Sequence, residues 1–262
     1  MKKTALTLAA AILLAGCAAA EEKPENKTEQ TETTAPAKTP AEEKTAGPVI
    51  SASYFNQLKE VDGVQVIQNP ENPLVLVNKE FALPSDYTPP DLVRPKVKYS
   101  FGDQDIEKSY MRKEAAAALE KMFQGAEGDG QYLFAVSGYR SYSRQQEILA
   151  AGAAASSEEE ALKSIAPPGM SEHQSGLAMD ISSESNGFEL NQAFEATEEG
   201  KWLKEHAHEY GFILRYPKGK EDITRYIYEP WHFRYVGQEA AAVIYENDWT
   251  FEDYFEQAKP AE

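Results

Sequence analysis

The chain has 262 residues and a formal net charge of −17, from 26 basic and 43 acidic side chains. This acidity disfavours nucleic-acid binding, which requires a concentration of basic residues. A single cysteine excludes a disulfide framework within one molecule, whereas 11% aromatic residues are enough for one domain with a hydrophobic core.

The N-terminal residues have the pattern of a secretion signal. Two lysines precede an apolar run over residues 5–15, and this run is too short and too rich in alanine for a strong membrane-spanning helix. The stretch LAGC at 14–17 resembles a bacterial lipobox, whose cysteine is lipidated and becomes the mature N-terminus. We therefore expect residues 1–17 to be a lipoprotein signal peptide and Cys17 to be acylated, which would anchor an exported protein in the membrane, facing the cell wall.

Residues 18–50 are predicted to be a disordered tether. Between residues 21 and 48 the sequence is rich in Glu, Lys, Thr, Pro and Ala and contains no aromatic residue, so it cannot bury enough apolar surface to fold. A flexible chain of this length spans on the order of 30 Å on average. The tether would hold a folded domain, residues 51–262, away from the membrane.

The remaining sequence alternates helical patterns with short strand patterns. Extended chain is predicted over residues 66–93, and helices over 111–124, over 143–164 with a weak point near Gly152, and over 197–210. Strands are predicted over 132–137, 177–182, 212–217 and 225–237, and two helices close the chain. This order predicts an α+β fold with a small, mostly antiparallel sheet flanked by helices.

The stretch SEHQSGLAMD at 171–180 contains the first candidate ligands, His173 and Asp180. Because side chains alternate along a strand, Asp180 points away from the apolar face that Met179 and Ile181 form. A ligand carried by a strand needs this orientation. A polar turn entering a strand is the alternative interpretation of the stretch.

A second stretch, YEPWHFRYV at 228–236, supplies the missing partner. Strict alternation would send Glu229 and His232 to opposite faces, but Pro230 interrupts a strand, and a bend there would bring both side chains to one pocket. Two imidazoles and one carboxylate are the usual ligands of a catalytic zinc with an open fourth position. Glu229 would then be free to act as a general base.

Four motifs together resemble the VanY-type D-alanyl-D-alanine carboxypeptidases, zinc peptidases of the bacterial cell wall that are related in fold to the zinc domain of Hedgehog proteins. The motifs are SGYRSYSRQ (137–145), SEHQSGLAMDIS (171–182), GFILRYP (211–217) and YEPWHFRYVG (228–237). The stretch 74–93 is similar to the N-terminal segment that wraps the domain in this family. The resemblance covers roughly residues 65–245 and implies a Hedgehog/DD-peptidase-like fold.

The resemblance also implies roles for individual residues. It predicts that Zn²⁺ is bound by His173, Asp180 and His232, that Glu229 is the catalytic base, that Arg140 faces the scissile carbonyl or the C-terminal carboxylate, and that Gln145 and Ser171 line the same end of the pocket. Gln145 and Ser171 could instead cap a neighbouring turn or helix. The implied reaction is removal of the C-terminal D-alanine from peptidoglycan stem peptides of the D-Ala-D-Ala type by metal-activated water.

Three other functions stay open at this point. An L,D-carboxypeptidase that trims tetrapeptide stems shares these motifs. A non-haem iron oxygenase also uses two histidines and one carboxylate, although its usual pair is His-x-Asp, and six residues separate His173 from Asp180. A non-catalytic lipoprotein that binds the cell wall would not need Glu229 beside the metal.

Overall fold

The computed structural model describes residues 47–261. The predicted signal peptide with Cys17 and residues 18–46 of the predicted tether lie outside the described residues. Val49 and Ile50, assigned to the tether from the sequence, instead form a strand parallel to Lys259–Pro260. The folded domain therefore begins earlier than residue 51. Among the described residues, no helix combines the length and the apolar character that crossing a membrane requires.

The described residues form short strands and helices, and six of the strands precede the first α-helix. The strands are β1 (Val49–Ile50), β2 (Leu58–Val61), β3 (Val64–Ile67), β4 (Phe81–Ala82), β5 (Leu92–Val93), β6 (Met111–Arg112), β7 (Phe134–Ser137), β8 (Ala178–Ser182), β9 (Phe212–Leu214), β10 (His232–Tyr235) and β11 (Lys259–Pro260). The α-helices are α1 (Lys113–Gly128), α2 (Tyr142–Ala155), α3 (Glu158–Ala161), α4 (Glu198–His206), α5 (Glu221–Thr224), α6 (Gln238–Glu246) and α7 (Phe251–Gln257). Short 3-10 helices, including Glu107–Ser109 and Glu172–Ser175, lie between them.

The central sheet has four strands in the order β7-β8-β10-β9, and every neighbouring pair is antiparallel. In the β8–β10 pair, His232 lies opposite Asp180. A smaller sheet has the order β2-β3-β4, and β5 pairs with β6. The α+β class and the mostly antiparallel sheet predicted from the sequence are confirmed.

The hydrophobic core lies between α1 and one face of the central sheet. Leu119 and Met122 of α1 are fully buried, as are Met179 and Ile181 of β8. Burial of each of these side chains contributes roughly 1.5–3 kcal/mol. Since Met179 and Ile181 take the core side of β8, Asp180 between them is presented on the opposite side of the strand.

Two helix ends differ from the sequence prediction. Helix α1 continues to Gly128 instead of ending near Gln124. Gly125 does not end the helix but makes room for a neighbour, since a Cβ at this position would clash with the Tyr210 hydroxyl. The predicted helix over 143–164 ends at Ala155, and Gly152 lies within it. Ser157 accepts a hydrogen bond from the Glu160 amide at 3.1 Å and starts α3, so this N-cap interrupts the helix.

Candidate metal centre

Three side chains predicted as ligands converge on one point of the central sheet. His173 lies in the 3-10 helix Glu172–Ser175, Asp180 in the middle of β8 and His232 at the start of β10. Oδ2 of Asp180 is 3.4 Å from His173 Nε2, and Oδ1 is 3.1 Å from His232 Nδ1. One ligand atom from each residue lies within 4.8 Å of the others, and all three side chains are buried. The structure thus brings together a candidate metal site from two distant stretches.

The outer nitrogen of each imidazole is already engaged. Nδ1 of His173 is 2.7 Å from the Gly138 carbonyl oxygen, which can only accept, so Nδ1 donates its proton there and Nε2 faces Asp180 with a free lone pair. Nε2 of His232 is 3.1 Å from Oε2 of Glu172, an arrangement that leaves Nδ1 facing Asp180. Partners of this kind orient histidine ligands in metalloproteins. Two imidazole nitrogens and a carboxylate therefore fit a zinc ion.

Glu172 is a buried anion directly behind His232. Its side chain is 0% exposed, and its Oε1 accepts from Arg215 Nε at 2.7 Å and from Arg234 Nη1 at 2.9 Å. Burial raises the pKa of Glu172, but the two guanidinium groups and His232 more than offset this effect and hold the pKa well below its ordinary value. Glu172 is therefore a carboxylate at neutral pH.

The arginines behind the site connect it to the rest of the domain. Arg215 makes a two-pronged pair with Glu252 of α7, at 2.8 and 2.6 Å. Arg234 Nη2 donates to the carbonyl oxygen of Val75 at 2.8 Å. These contacts attach α7 and the N-terminal segment to the back of the candidate metal site.

Glu172, Arg215 and Arg234 were not predicted from the sequence as residues of the site. The signal was present in the sequence, since each arginine stands alone in an apolar strand pattern, FILRYP and HFRYV. A charge at such a position is buried only when a partner compensates it.

Glu229 reaches the site through a turn rather than through a bent strand. Its amide donates to Tyr216 O at 3.1 Å, and the His232 amide donates back to Glu229 O at 3.3 Å. The strand predicted over 225–237 thus begins only at His232, because this turn through Pro230 uses the backbone groups that a strand would pair. The turn leaves Glu229 Oε2 4.0 Å from His232 Nδ1.

Glu229 is placed to hold or release a proton near neutral pH. Its residue is 5% exposed. The pKa of Glu229 is raised to about 8: burial is the largest cause and Asp180 acts in the same direction, while His232 and Arg140 act in the opposite direction. A cation held by the three ligands would lower this pKa, because it stabilises the carboxylate form.

Arg140 lies at the open side of the site. Its Nη1 donates to Gln145 Oε1 at 2.8 Å and its Nη2 to Ser137 Oγ at 3.3 Å, while Nη2 lies 3.9 Å from Asp180 Oδ2. The side chain is 17% exposed. Arg140 is therefore fixed in orientation and still accessible to a ligand.

The two remaining candidate residues, Gln145 and Ser171, differ in the hydrogen bonds of their side chains. Gln145 is 1% exposed, and its amide nitrogen donates to Ala166 O at 2.7 Å, so both ends of the side chain are used and Gln145 orients Arg140. Ser171 precedes the 3-10 helix Glu172–Ser175 but makes no side-chain capping hydrogen bond to it. Ser171 therefore does not cap this helix, and Gln145 bonds a loop carbonyl rather than a helix end.

Residues 108–238 match the family model of VanY, described as D-alanyl-D-alanine carboxypeptidase. The chain belongs to the VanY family of D-alanyl-D-alanine carboxypeptidases. It is 58% identical over 210 residues to "Putative carboxypeptidase YodJ" of Bacillus subtilis (strain 168), which covers 80% of this chain and 77% of that protein.

Two solved structures show that the similarity extends to the fold. The LdcB LD-carboxypeptidase, whose structure concerns peptidoglycan recognition, superposes with a TM-score of 0.78 at 57% identity over 81% of this chain and 99% of that chain. A variant of the vancomycin resistance D,D-pentapeptidase VanY in complex with Zn(II) gives a TM-score of 0.56 at 33% identity, covering 70% and 98%. The predicted VanY-like fold is confirmed.

Proposed function

We propose that this protein is a zinc-dependent carboxypeptidase that hydrolyses the C-terminal D-alanine from peptidoglycan stem peptides. The observation that carries the proposal is the convergence of His173, Asp180 and His232, with the Glu229 carboxylate 4.0 Å from His232 Nδ1. The likeness to a VanY variant in complex with Zn(II) supports zinc as the metal.

The ion would be held by His173 Nε2, Asp180 and His232 Nδ1, the atoms that the outer hydrogen bonds leave free. When bound, zinc supplies a Lewis acid that polarises a carbonyl and makes water acidic enough to react at neutral pH. Glu172 and the Gly138 carbonyl keep the two imidazoles in the required tautomers.

Glu229 transfers the proton. It accepts a proton from the attacking water as the new C–O bond forms, and it donates that proton to the departing amine as the C–N bond breaks. Burial raises the pKa of Glu229 and so opposes the lowering that a bound cation causes, which favours the second step, in which a protonated carboxyl must act as an acid. The proton that Glu229 removes from water is thus the proton that the departing amine receives, and one side chain carries it through both steps.

Arg140 binds the substrate. Its planar guanidinium suits a free carboxylate or the negative charge that develops on the scissile carbonyl oxygen. Because Gln145 and Ser137 already fix its orientation, binding costs little further ordering. A preorganised donor of this kind contributes roughly 3–4 kcal/mol to the transition state. The Ser171 hydroxyl is a further substrate contact in this proposal.

The bond preference has two candidates. The sequence motifs predicted hydrolysis of a D,D bond, as in D-Ala-D-Ala. The second candidate, an L,D-carboxypeptidase that acts on tetrapeptide stems, is favoured by one observation: the likeness to the LdcB LD-carboxypeptidase is stronger, with 57% identity against 33% for the D,D-pentapeptidase VanY.

The test is incubation of the zinc-loaded protein with defined tetrapeptide and pentapeptide stems, with products identified by mass. Glu229→Gln is expected to retain zinc and to lose about a hundredfold or more in rate, because it cannot accept the proton. Glu205→Gln, an exposed glutamate on α4, is the matched control. Unchanged hydrolysis in Glu229→Gln, or a protein that retains iron and no zinc, would contradict the proposal.

We also propose that the protein is an exported lipoprotein, acylated at Cys17 and facing the cell wall at the end of its tether. The support is the sequence alone: the apolar run over 5–15 and the LAGC stretch at 14–17. Incorporation of a labelled fatty acid in cells, and its loss in Cys17→Ala, is the expected result. Equal labelling of both proteins would contradict the anchor.

A further inference from the structure

A cleft of about 410 Å³ opens beside the metal centre. Asp180 and Arg140 lie in its wall, together with Lys108, Arg144 and the apolar side chains of Ile106 and Leu190. The departing residue of the proposed reaction is a single alanine, which needs little space. A cleft of this volume is therefore suited to the longer acyl part of a peptide.

Lys108 presents a charged group in this cleft without an ionic partner. The residue is partly buried, and its Nζ lies 4.4 Å from the centroid of the Phe101 ring. Within residues 47–261, no carboxylate lies within 4.0 Å of the Lys108 ammonium. A partly desolvated ammonium gains most from an anionic partner, so this position favours an anionic ligand.

Backbone contacts place Lys108 beside the segment 138–141, which carries Arg140. Its carbonyl oxygen accepts from the Gly138 amide at 2.8 Å, and Gly138 in turn accepts from His173. The neighbouring Glu107 accepts from the Ser141 amide at 2.6 Å. These contacts hold the backbone of residues 107–108 against residues 138–141, so Lys108 and Arg140 are carried by two segments in direct contact.

Cationic side chains outnumber carboxylates in the lining of the cleft. The chain carries a net charge of −17, yet Lys108, Arg140 and Arg144 line this cleft against the two carboxylates of Glu107 and Asp180. The pKa of Lys108 is lowered, first by burial and then by Arg140 and Arg144, against the effect of Asp180. A local positive field on an anionic protein attracts and orients an anionic substrate.

We propose that Lys108 binds a second carboxylate of the substrate, on the acyl side of the scissile bond. This inference rests on the proposed function and narrows its substrate class. The preferred substrate is a peptide with at least two carboxylates: one at its C-terminus and one further inward. A γ-linked D-glutamate in the acyl part has such a free α-carboxylate, whereas a γ-linked D-isoglutamine has a neutral amide in its place.

The experiment compares two synthetic stem peptides that differ only in carrying γ-linked D-glutamate or γ-linked D-isoglutamine. The zinc-loaded wild type is expected to prefer the carboxylate peptide in kcat/KM on the order of tenfold, the contribution of one charge-assisted contact. Lys108→Met, which keeps the length and the packing on Phe101, lowers this ratio to about 1, and Lys108→Arg retains most of it.

The matched control is Lys98→Met. Lys98 is also a lysine over an aromatic ring, at 4.9 Å from the centroid of Tyr132, but it lies outside the cleft, so its removal leaves the preference unchanged. Calorimetric binding of the two peptides to Glu229→Gln, with and without Lys108→Met, gives the same comparison without turnover.

Equal wild-type rates on both peptides, or a preference that survives Lys108→Met, would overturn this inference and leave the proposed function intact. Cleavage of neither peptide by the zinc-loaded wild type would contradict the proposed function instead. If Lys108→Met does not fold, the wild-type preference is measured at low and high salt. An ionic contact predicts a smaller preference at high salt, and an unchanged preference counts against Lys108.

Discussion

Replacement of Glu172 by glutamine tests the buried charges behind the metal centre. The substitution keeps the shape of the side chain and removes its negative charge. In the wild type, the guanidinium groups of Arg215 and Arg234 are matched by the carboxylates of Glu172 and Glu252, and both arginine side chains are 0% exposed. Glu172→Gln leaves one of these buried positive charges without compensation.

The expected cost follows from this imbalance. Breaking a buried ion pair by removing one partner lowers the free energy of unfolding by roughly 3–5 kcal/mol. Since small domains are stable by about 5–15 kcal/mol, the variant folds but is strongly weakened. His232 also loses the carboxylate that orients its Nε2, so we expect zinc affinity to fall by about 10- to 100-fold.

The assay is urea unfolding of the metal-free protein, followed by circular dichroism, together with a zinc titration. Glu198→Gln is the control, because its pair with Lys201 at 2.6 Å lies on the surface and is expected to contribute little. A loss below about 1 kcal/mol in Glu172→Gln, with an unchanged denaturant slope, would refute the reasoning. The double variant with Arg234→Met is expected to lose less than the sum of the single variants, because it removes the uncompensated charge.

Two further predictions concern proton release and close packing. The pKa of His232 is raised to about 9, because its hydrogen bonds to Asp180 and Glu172 outweigh the effect of burial, and that of Glu229 is raised to about 8. Both groups hold protons at pH 7 without metal, so zinc binding should release about one to two protons, and affinity should rise as pH rises toward these pKa values. Calorimetry in buffers of different ionisation enthalpy measures this release. Gly138→Ala places a Cβ 2.5 Å from the Tyr110 carbonyl oxygen, which should destabilise the protein by about 1–3 kcal/mol and lower its melting temperature.

Each of these predictions has a clear contrary result. Binding heats that do not depend on the buffer would show that no proton leaves His232 or Glu229 when zinc binds. In Glu229→Gln the release should be smaller by up to one proton. A melting temperature of Gly138→Ala equal to that of the wild type would show that the Tyr110 segment can move away from the new methyl group.

Local sequence patterns were sufficient to predict the strand that carries Asp180 and the direction of its side chain. The alternation in GLAMDIS placed Asp180 opposite the core face, and the structure agrees, because Met179 and Ile181 are buried in the core. The same reasoning was wrong about the segment before His232, which is a turn. Two backbone hydrogen bonds decide the shape of that turn: Glu229 donates to Tyr216, and His232 donates to Glu229 across the turn. The pattern of apolar residues in the segment does not predict these two bonds.

By itself, the sequence identified the candidate ligands and the candidate base, because His173, Asp180, Glu229 and His232 occur in short motifs whose residue types are few and characteristic. It also determined the fold class through the period of its apolar residues. Only the tertiary structure decided that β10 pairs with β8 so that His232 lies opposite Asp180. It alone showed that Glu172 is an anion between two arginines and that Lys108 faces the cleft, because compensation of charge acts between residues distant in sequence and depends on their separation in space.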